Sequence, residues 1–138
     1  MKTDVSPQKK VIIIPCSGIG KVFGSISRDA TYEVTEKLRT DTTQTVCLAL
    51  LVSGDEESQE LVRSNKCITV DGCPLQCAEK NVKLAGGNLA ANFRVVDVYK
   101  ENRHLKPRSI TFLDSDGQRM ALVLGEKIAG KVDKVLEE

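Results

Sequence analysis

Two cysteines four positions apart mark the stretch of the sequence with the clearest chemical potential. Residues 70–80 have the sequence VDGCPLQCAEK, in which Cys73 and Cys77 flank a proline and follow an acid and a glycine. A spacing of a few residues between paired cysteines suits a single zinc ion, which thiolates bind at about 2.3 Å. The same pair also suits reversible thiol–disulfide chemistry. The stretch therefore predicts a metal site or a redox site, and the alternative is a pair of inert thiols at a strand end.

The cysteine count favours a reducing compartment. The chain has five cysteines, an odd number, and its first ten residues, MKTDVSPQKK, lack the apolar segment of a secretion signal. Clustered thiols in a reducing compartment more often bind metal or carry out redox chemistry than form structural crosslinks. We therefore expect a cytoplasmic protein.

Composition argues against nucleic acid and membranes as partners. Among 138 residues, 20 are basic and 19 acidic, which gives a net charge of +1 and no field to attract polyanions. Two tyrosines, three phenylalanines and no tryptophan are too few for a base-stacking surface. No apolar run approaches the roughly 18 residues of a membrane span. The expected partner is one metal ion, and a protein partner or homo-oligomer is compatible with the sequence.

Hydrophobic patterning predicts an α/β fold in one domain. Residues 1–9 are expected to be a flexible lead-in and residues 10–138 a single α/β metal-binding domain. Buried-strand patterns occupy 10–16, 43–52, 66–70 and 92–99, and helical patterns occupy 25–38, 53–65, 74–87 and 114–138. Alternation of this kind predicts a three-layer sandwich with a mainly parallel sheet of about four strands, in the order 2-1-3-4. The last helix should bury Met120, Leu124, Ile128, Val132 and Val135.

This topology is expected to gather distant cysteines. Cys16 directly follows the first strand and Cys73 the third, and these strands would be neighbours about 5 Å apart. Gly72 permits a sharp turn, Pro74 starts the helix, and Cys77, one turn beyond Cys73, would project from the same helical face. Three thiols then meet at the carboxyl edge of the sheet, where α/β proteins bind ligands.

The fourth ligand is open on these grounds. Cys67 begins the third strand, roughly 20 Å along an extended chain from Cys73, and is excluded. Cys47 approaches the cluster if the second strand stops near residue 49, and is buried in the sheet if the strand runs to residue 52. Asp71 either caps the third helix or coordinates the metal, with capping the usual role. His104, in the loop after the fourth strand, or a water molecule could also complete the site.

A glycine-rich loop follows the first strand. Ser17, Gly18, Gly20 and Lys21 open a helix and suit the binding of an anion through backbone N–H groups. They lack the spacing of the known phosphate-binding and dinucleotide-binding motifs. A tight turn that positions Cys16 is the simpler interpretation.

Three segments together, CSGIGKVFG, CLAL and VDGCPLQCAEK, resemble the DGC domain family. Its small proteins are named for their Asp-Gly-Cys motif and are regarded as zinc-binding because of four potential chelating cysteines. The resemblance covers most of residues 10–100 and implies zinc ligands at Cys16, Cys47, Cys73 and Cys77. It implies no reaction. The longer apolar stretch after Cys47 and the C-terminal helix depart from the family's shorter members.

The sequence thus predicts a small cytoplasmic zinc-binding protein with a cysteine-thiolate site at the carboxyl edge of a parallel sheet. Three different functions stay open beside it. Cys73 and Cys77 could cycle between thiol and disulfide, or Cys16 could accept sulfur as a persulfide. Four cysteines also suit an iron–sulfur cluster. Finally, the metal could stabilise an interaction module without catalysis.

Overall fold

The computed structural model describes residues 10–16, 22–72, 75–109 and 112–138. The expected lead-in at 1–9 lies outside these ranges. The four strands are β1 (Val11–Cys16), β2 (Thr43–Thr45), β3 (Lys66–Asp71) and β4 (Asn88–Arg94). The helices are α1 (Val22–Glu33), which continues into a π-helical segment (Val34–Leu38), α2 (Leu48–Val52), α3 (Glu56–Ser64), α4 (Cys77–Leu84), α5 (Val95–Glu101) and α6 (Ser115–Glu137).

The strands form one parallel sheet in the order β2-β1-β3-β4, which confirms the predicted topology. β1 and β3 pair along their whole length, from Val11 opposite Lys66 to Cys16 opposite Asp71. Their apolar β-branched residues are buried on both faces, as expected for central strands of a parallel sheet.

Alternating side chains of β1 supply two separate cores. Val11 and Ile13 pack against a cluster that includes residues of α1, α5 and α6. Ile12 and Ile14 pack on the opposite face against residues of α2, α3 and α4. This alternation follows from the two-residue period of a strand and gives the predicted three layers. Burial of each of these isoleucine side chains contributes roughly 1.5–3 kcal/mol to the free energy of folding, relative to an exposed side chain.

The last helix packs as the sequence predicts. α6 buries all five predicted residues, which belong to the core cluster on the α1 side of the sheet. Its apolar side therefore docks within the chain. Although α6 has 23 residues, no helix in the described ranges has an apolar stretch that would cross a bilayer.

Two predicted strands were too long at their carboxyl ends. β2 ends at Thr45, and residues 48–52 form the short helix α2 instead of continuing the strand. β4 starts four residues earlier than predicted and ends at Arg94, and residues 95–101 form α5. In α5 the buried residues are Val95 and Val98, a helical spacing, so packing against the core overrides the strand preference of valine.

Candidate metal centre

The carboxyl ends of β1 and β3 are held together by pairing and by a side chain from α1. Cys16 lies opposite Asp71 in the β1–β3 register. The buried hydroxyl of Ser27 lies 3.1 Å from the carbonyl oxygen of Val70 and 3.3 Å from that of Cys16. One donor thus spans both strand ends, which fixes the backbone that precedes the Asp-Gly-Cys motif.

Asp71 caps α4 from a distance. Its buried carboxylate accepts hydrogen bonds from the backbone N–H groups of Ala78 at 2.8 Å and Glu79 at 3.3 Å, and from the Asn92 amide at 2.9 Å. The N–H groups of Ala78 and Glu79 belong to the first turn of α4 and have no partner within the helix. The expected capping role of Asp71 is therefore confirmed, and the carboxylate links β3, β4 and α4.

The start of α4 differs from the prediction. The helix begins at Cys77, not near Pro74, so the prediction that Cys73 and Cys77 share one helical face is wrong. Gln76, the residue before the helix, has a left-handed backbone (φ 55°) and makes no side-chain cap. Its amide instead donates to Glu79 and Asn92. The distant cap by Asp71 replaces the missing local one.

Gly72 lies against the backbone of α1. A Cβ atom at this position would come within 2.9 Å of the Gly24 nitrogen and of the Phe23 carbonyl group. Main-chain atoms of a packed helix cannot move aside as a side chain can, so only glycine fits here. This close approach brings the start of α1 against the residue that precedes Cys73.

Three of the four predicted cysteine ligands line one cleft at this edge of the sheet. Cys16 ends β1, Cys47 precedes α2, and Cys77 opens α4. All three border a cleft of about 700 Å³. Cys16 and Cys77 are half-buried, and Cys47 is exposed. The remaining described lining residues are Pro15, Arg28, Tyr32, Thr45, Val46, Leu48, Ala49, Val52, Ser53 and Asn81.

The position of Cys47 follows from the early end of β2. Because the strand stops at Thr45, Cys47 is not buried in the sheet, and it occupies the position immediately before α2. Its thiol is therefore accessible from the cleft. This outcome decides between the two placements that the sequence allowed.

Cys67 is in a different environment. It is fully buried in β3, within the core cluster on the α2–α4 side, and its Sγ atom lies 3.4 Å from the Val62 carbonyl oxygen. Burial raises the pKa of the Cys67 thiol to about 12, since the thiolate would have to form away from water. Cys67 thus stays protonated at neutral pH and does not line the cleft.

The described residues do not form a complete metal site by themselves. Within 10–16, 22–72, 75–109 and 112–138, no three His, Cys, Asp or Glu side chains form a group that could hold an ion. Cys73 and Pro74 lie outside these ranges, as do Ser17, Gly18, Gly20 and Lys21 of the predicted anion loop. Thiolates are nevertheless the kind of donor that zinc prefers, and three cysteines border the cleft.

Further lining residues were not predicted from the sequence. Asn81 lies one turn after Cys77 on α4 and donates to its carbonyl oxygen at 2.8 Å, a spacing that could have indicated it. Arg28 and Tyr32, one turn apart on α1, reach the cleft through the packing of α1 on the sheet, which no local pattern indicates. His104, considered above as a possible fourth ligand, is exposed after α5 and does not line the cleft.

The fold and this cleft define a three-layer α/β protein with cysteines at the carboxyl edge of its sheet. The family model described as DGC domain matches residues 12–120, most of the chain. The chain belongs to this family, as its motifs predict. No curated protein and no solved structure matches it.

Proposed function

We propose that the protein binds one zinc ion through the thiolates of Cys16, Cys47, Cys73 and Cys77. The observation that carries the proposal is that Cys16, Cys47 and Cys77, from three separate elements, border a single cleft. Membership of the DGC domain family supports it as well. Cys73 directly follows Gly72 in the sequence, two residues beyond the end of β3, and is the natural fourth ligand.

The surrounding residues suit such a site. Ser27 fixes the main chain at Cys16, and Asp71 fixes the first turn of α4 at Cys77. Ligands whose backbones are held in this way lose less conformational freedom when they bind an ion. A zinc ion bound by these four thiolates would crosslink a strand end to two helix starts, as structural zinc sites do. We further propose a cytoplasmic location, where thiols stay reduced.

Metal analysis of the purified protein tests the proposal. Protein prepared without oxygen or added chelator is expected to contain about one zinc per chain, with X-ray absorption showing about four sulfur neighbours near 2.3 Å. Cys77→Ser should abolish most of the zinc content. Cys67→Ala is the matched control, since this cysteine is buried outside the cleft, and it should keep the wild-type zinc content.

Two results would overturn the proposal. The first is a folded wild-type protein without metal, and the second is equal loss of zinc in Cys67→Ala and Cys77→Ser. A metal-free protein that reversibly loses two thiols on mild oxidation would support a thiol redox function. Visible absorption in the anaerobic protein would support an iron–sulfur cluster instead.

A further inference from the structure

The cysteine cleft has a charged side chain, that of Arg28, in its described lining. Among its described lining residues, Arg28 is the only one with a permanent charge. It pairs with the adjacent Asp29 through a single contact of 4.0 Å, and both side chains are about 40% or more exposed. An exposed pair with that separation contributes little. The guanidinium therefore keeps most of its capacity to bind another anion.

Another part of the lining is apolar. Val46, Leu48, Ala49 and Val52 come from the segment that includes α2, and together they form an apolar wall beside Cys47. The volume of about 700 Å³ falls within the range of pockets for small molecules. A guanidinium and an apolar wall, both among the described lining residues, are complementary to a molecule with a carboxylate and a short hydrocarbon part.

We infer that the cleft binds a small organic monocarboxylate, with its carboxylate on Arg28 and its hydrocarbon part against Val46, Ala49 and Val52. A guanidinium matches the two oxygens of a carboxylate with parallel N–H donors. The inference rests on the proposed function in taking the cysteine cleft as the working site, but Arg28 and the apolar lining residues are not among the proposed zinc ligands.

A matched pair of probes tests this inference. Hexanoate and hexanamide have the same length and nearly the same shape and differ in charge. In titrations followed by ¹H–¹⁵N NMR at constant ionic strength, both should shift amide signals of Val46, Ala49 and Val52. Hexanoate should bind about two- to fivefold more tightly, as expected for a partly exposed charge pair.

Substitution of Arg28 should remove the discrimination. In Arg28→Gln the two probes should bind equally, whereas Arg119→Gln, an exposed site on α6 outside the cleft, should behave as wild type. Equal affinities of the two probes for the wild type would overturn the inference. So would an absence of binding, or shifts confined to residues elsewhere.

Zinc content measured on the same samples separates this inference from the proposed function. Arg28→Gln should retain the wild-type zinc content. If it loses zinc and the probes never differ, Arg28 serves to balance the charge of the thiolate site, and the inference is wrong. If the wild type lacks zinc but discriminates between the probes, the inference stands and the zinc proposal falls.

Discussion

Replacement of Asp71 by asparagine tests whether one buried carboxylate fixes the cleft edge. The two side chains have almost the same shape, so the change removes the negative charge and one acceptor while it preserves packing. In the wild type, Oδ1 accepts from Ala78, and Oδ2 accepts from Glu79 and Asn92. Whichever oxygen becomes an NH₂ group, at least one donor then faces another donor.

Reorientation of Asn92 does not resolve this conflict. Its amide nitrogen also donates to the Thr69 hydroxyl at 2.7 Å, and its oxygen accepts from Gln76. A hydrogen bond to a charged group contributes about 1.5–3 kcal/mol, and an unsatisfied buried donor costs about 1–3 kcal/mol. We therefore expect Asp71→Asn to lower the free energy of unfolding by about 3 kcal/mol. For 138 residues, with an unfolding entropy near 0.29 kcal/mol/K, this corresponds to a Tm lower by about 10 °C.

Calorimetry at fixed metal content measures the effect, and Asp133→Asn is the control. Asp133 accepts hydrogen bonds from Arg39 at 2.7 and 2.8 Å, but half of its side chain is exposed, so its loss should cost less than about 1 kcal/mol. Amide exchange at Ala78 and Glu79 should accelerate only in Asp71→Asn. If the two variants melt within about 3 °C of each other, the capping argument is wrong.

Three further predictions concern Gly72, Cys67 and Cys47. Gly72→Ala should destabilise by about 1–3 kcal/mol in urea unfolding, because its methyl group meets the α1 backbone, whereas Gly130→Ala, in open space on α6, should stabilise by about 0.5–1 kcal/mol. Cys67 makes the free energy of unfolding depend on pH, because its pKa of about 12 in the folded protein exceeds the ordinary value of 9.0. The contribution of the protonated thiol is complete below pH 9, and it falls by up to about 1.4 kcal/mol per pH unit above pH 9. Cys67→Ala should thus be less stable than wild type at pH 8, and the difference should shrink by pH 10; parallel urea titrations that give a constant difference would contradict this. In metal-free native protein, iodoacetamide should label exposed Cys47 at least about 100-fold faster than buried Cys67. Peptide mass spectrometry measures both labelling rates, and comparable rates would show that burial does not protect Cys67.

The central sheet could be predicted because its information is local. The isoleucine run of β1 and the KCITV segment of β3 are short, continuous and rich in β-branched residues, a pattern typical of strands buried on both faces. Right-handed crossovers then restrict the strand order to few choices. That order was enough to predict that Cys16 lies beside the end of β3.

The errors arose where an apolar segment has two compatible structures. Leucine and alanine in residues 48–52 favour a helix, and β2 is an edge strand with only three paired residues, so nothing prolongs it. The valines of α5 form a helix because Val95 and Val98 reach the core with helical spacing. These outcomes depend on where α6 and the sheet lie, which no short window of sequence specifies.

The candidate site shows the same limit. The cap by Asp71 was predictable, since acids commonly serve helix starts. The sequence predicts Gly72 for a sharp turn, but the structure adds a different reason for a glycine. Gly72 lies against the backbone of Phe23 and Gly24, and Gly24 is 48 residues away along the chain. Arg28 was missed for a related reason, because only the packing of α1 on the sheet brings it to the cleft.

The two walls of the cleft differ in how firmly they are held. Cys16 and Cys77 belong to backbone that buried Ser27 and Asp71 anchor by hydrogen bonds. Cys47 precedes a five-residue helix in which only Leu51 is buried, and a helix that short has little stability of its own. A metal ion bound as proposed would therefore connect the least anchored wall to the best anchored one. The largest structural consequence of zinc should fall on α2, which also supplies part of the apolar wall that we assign to the carboxylate ligand.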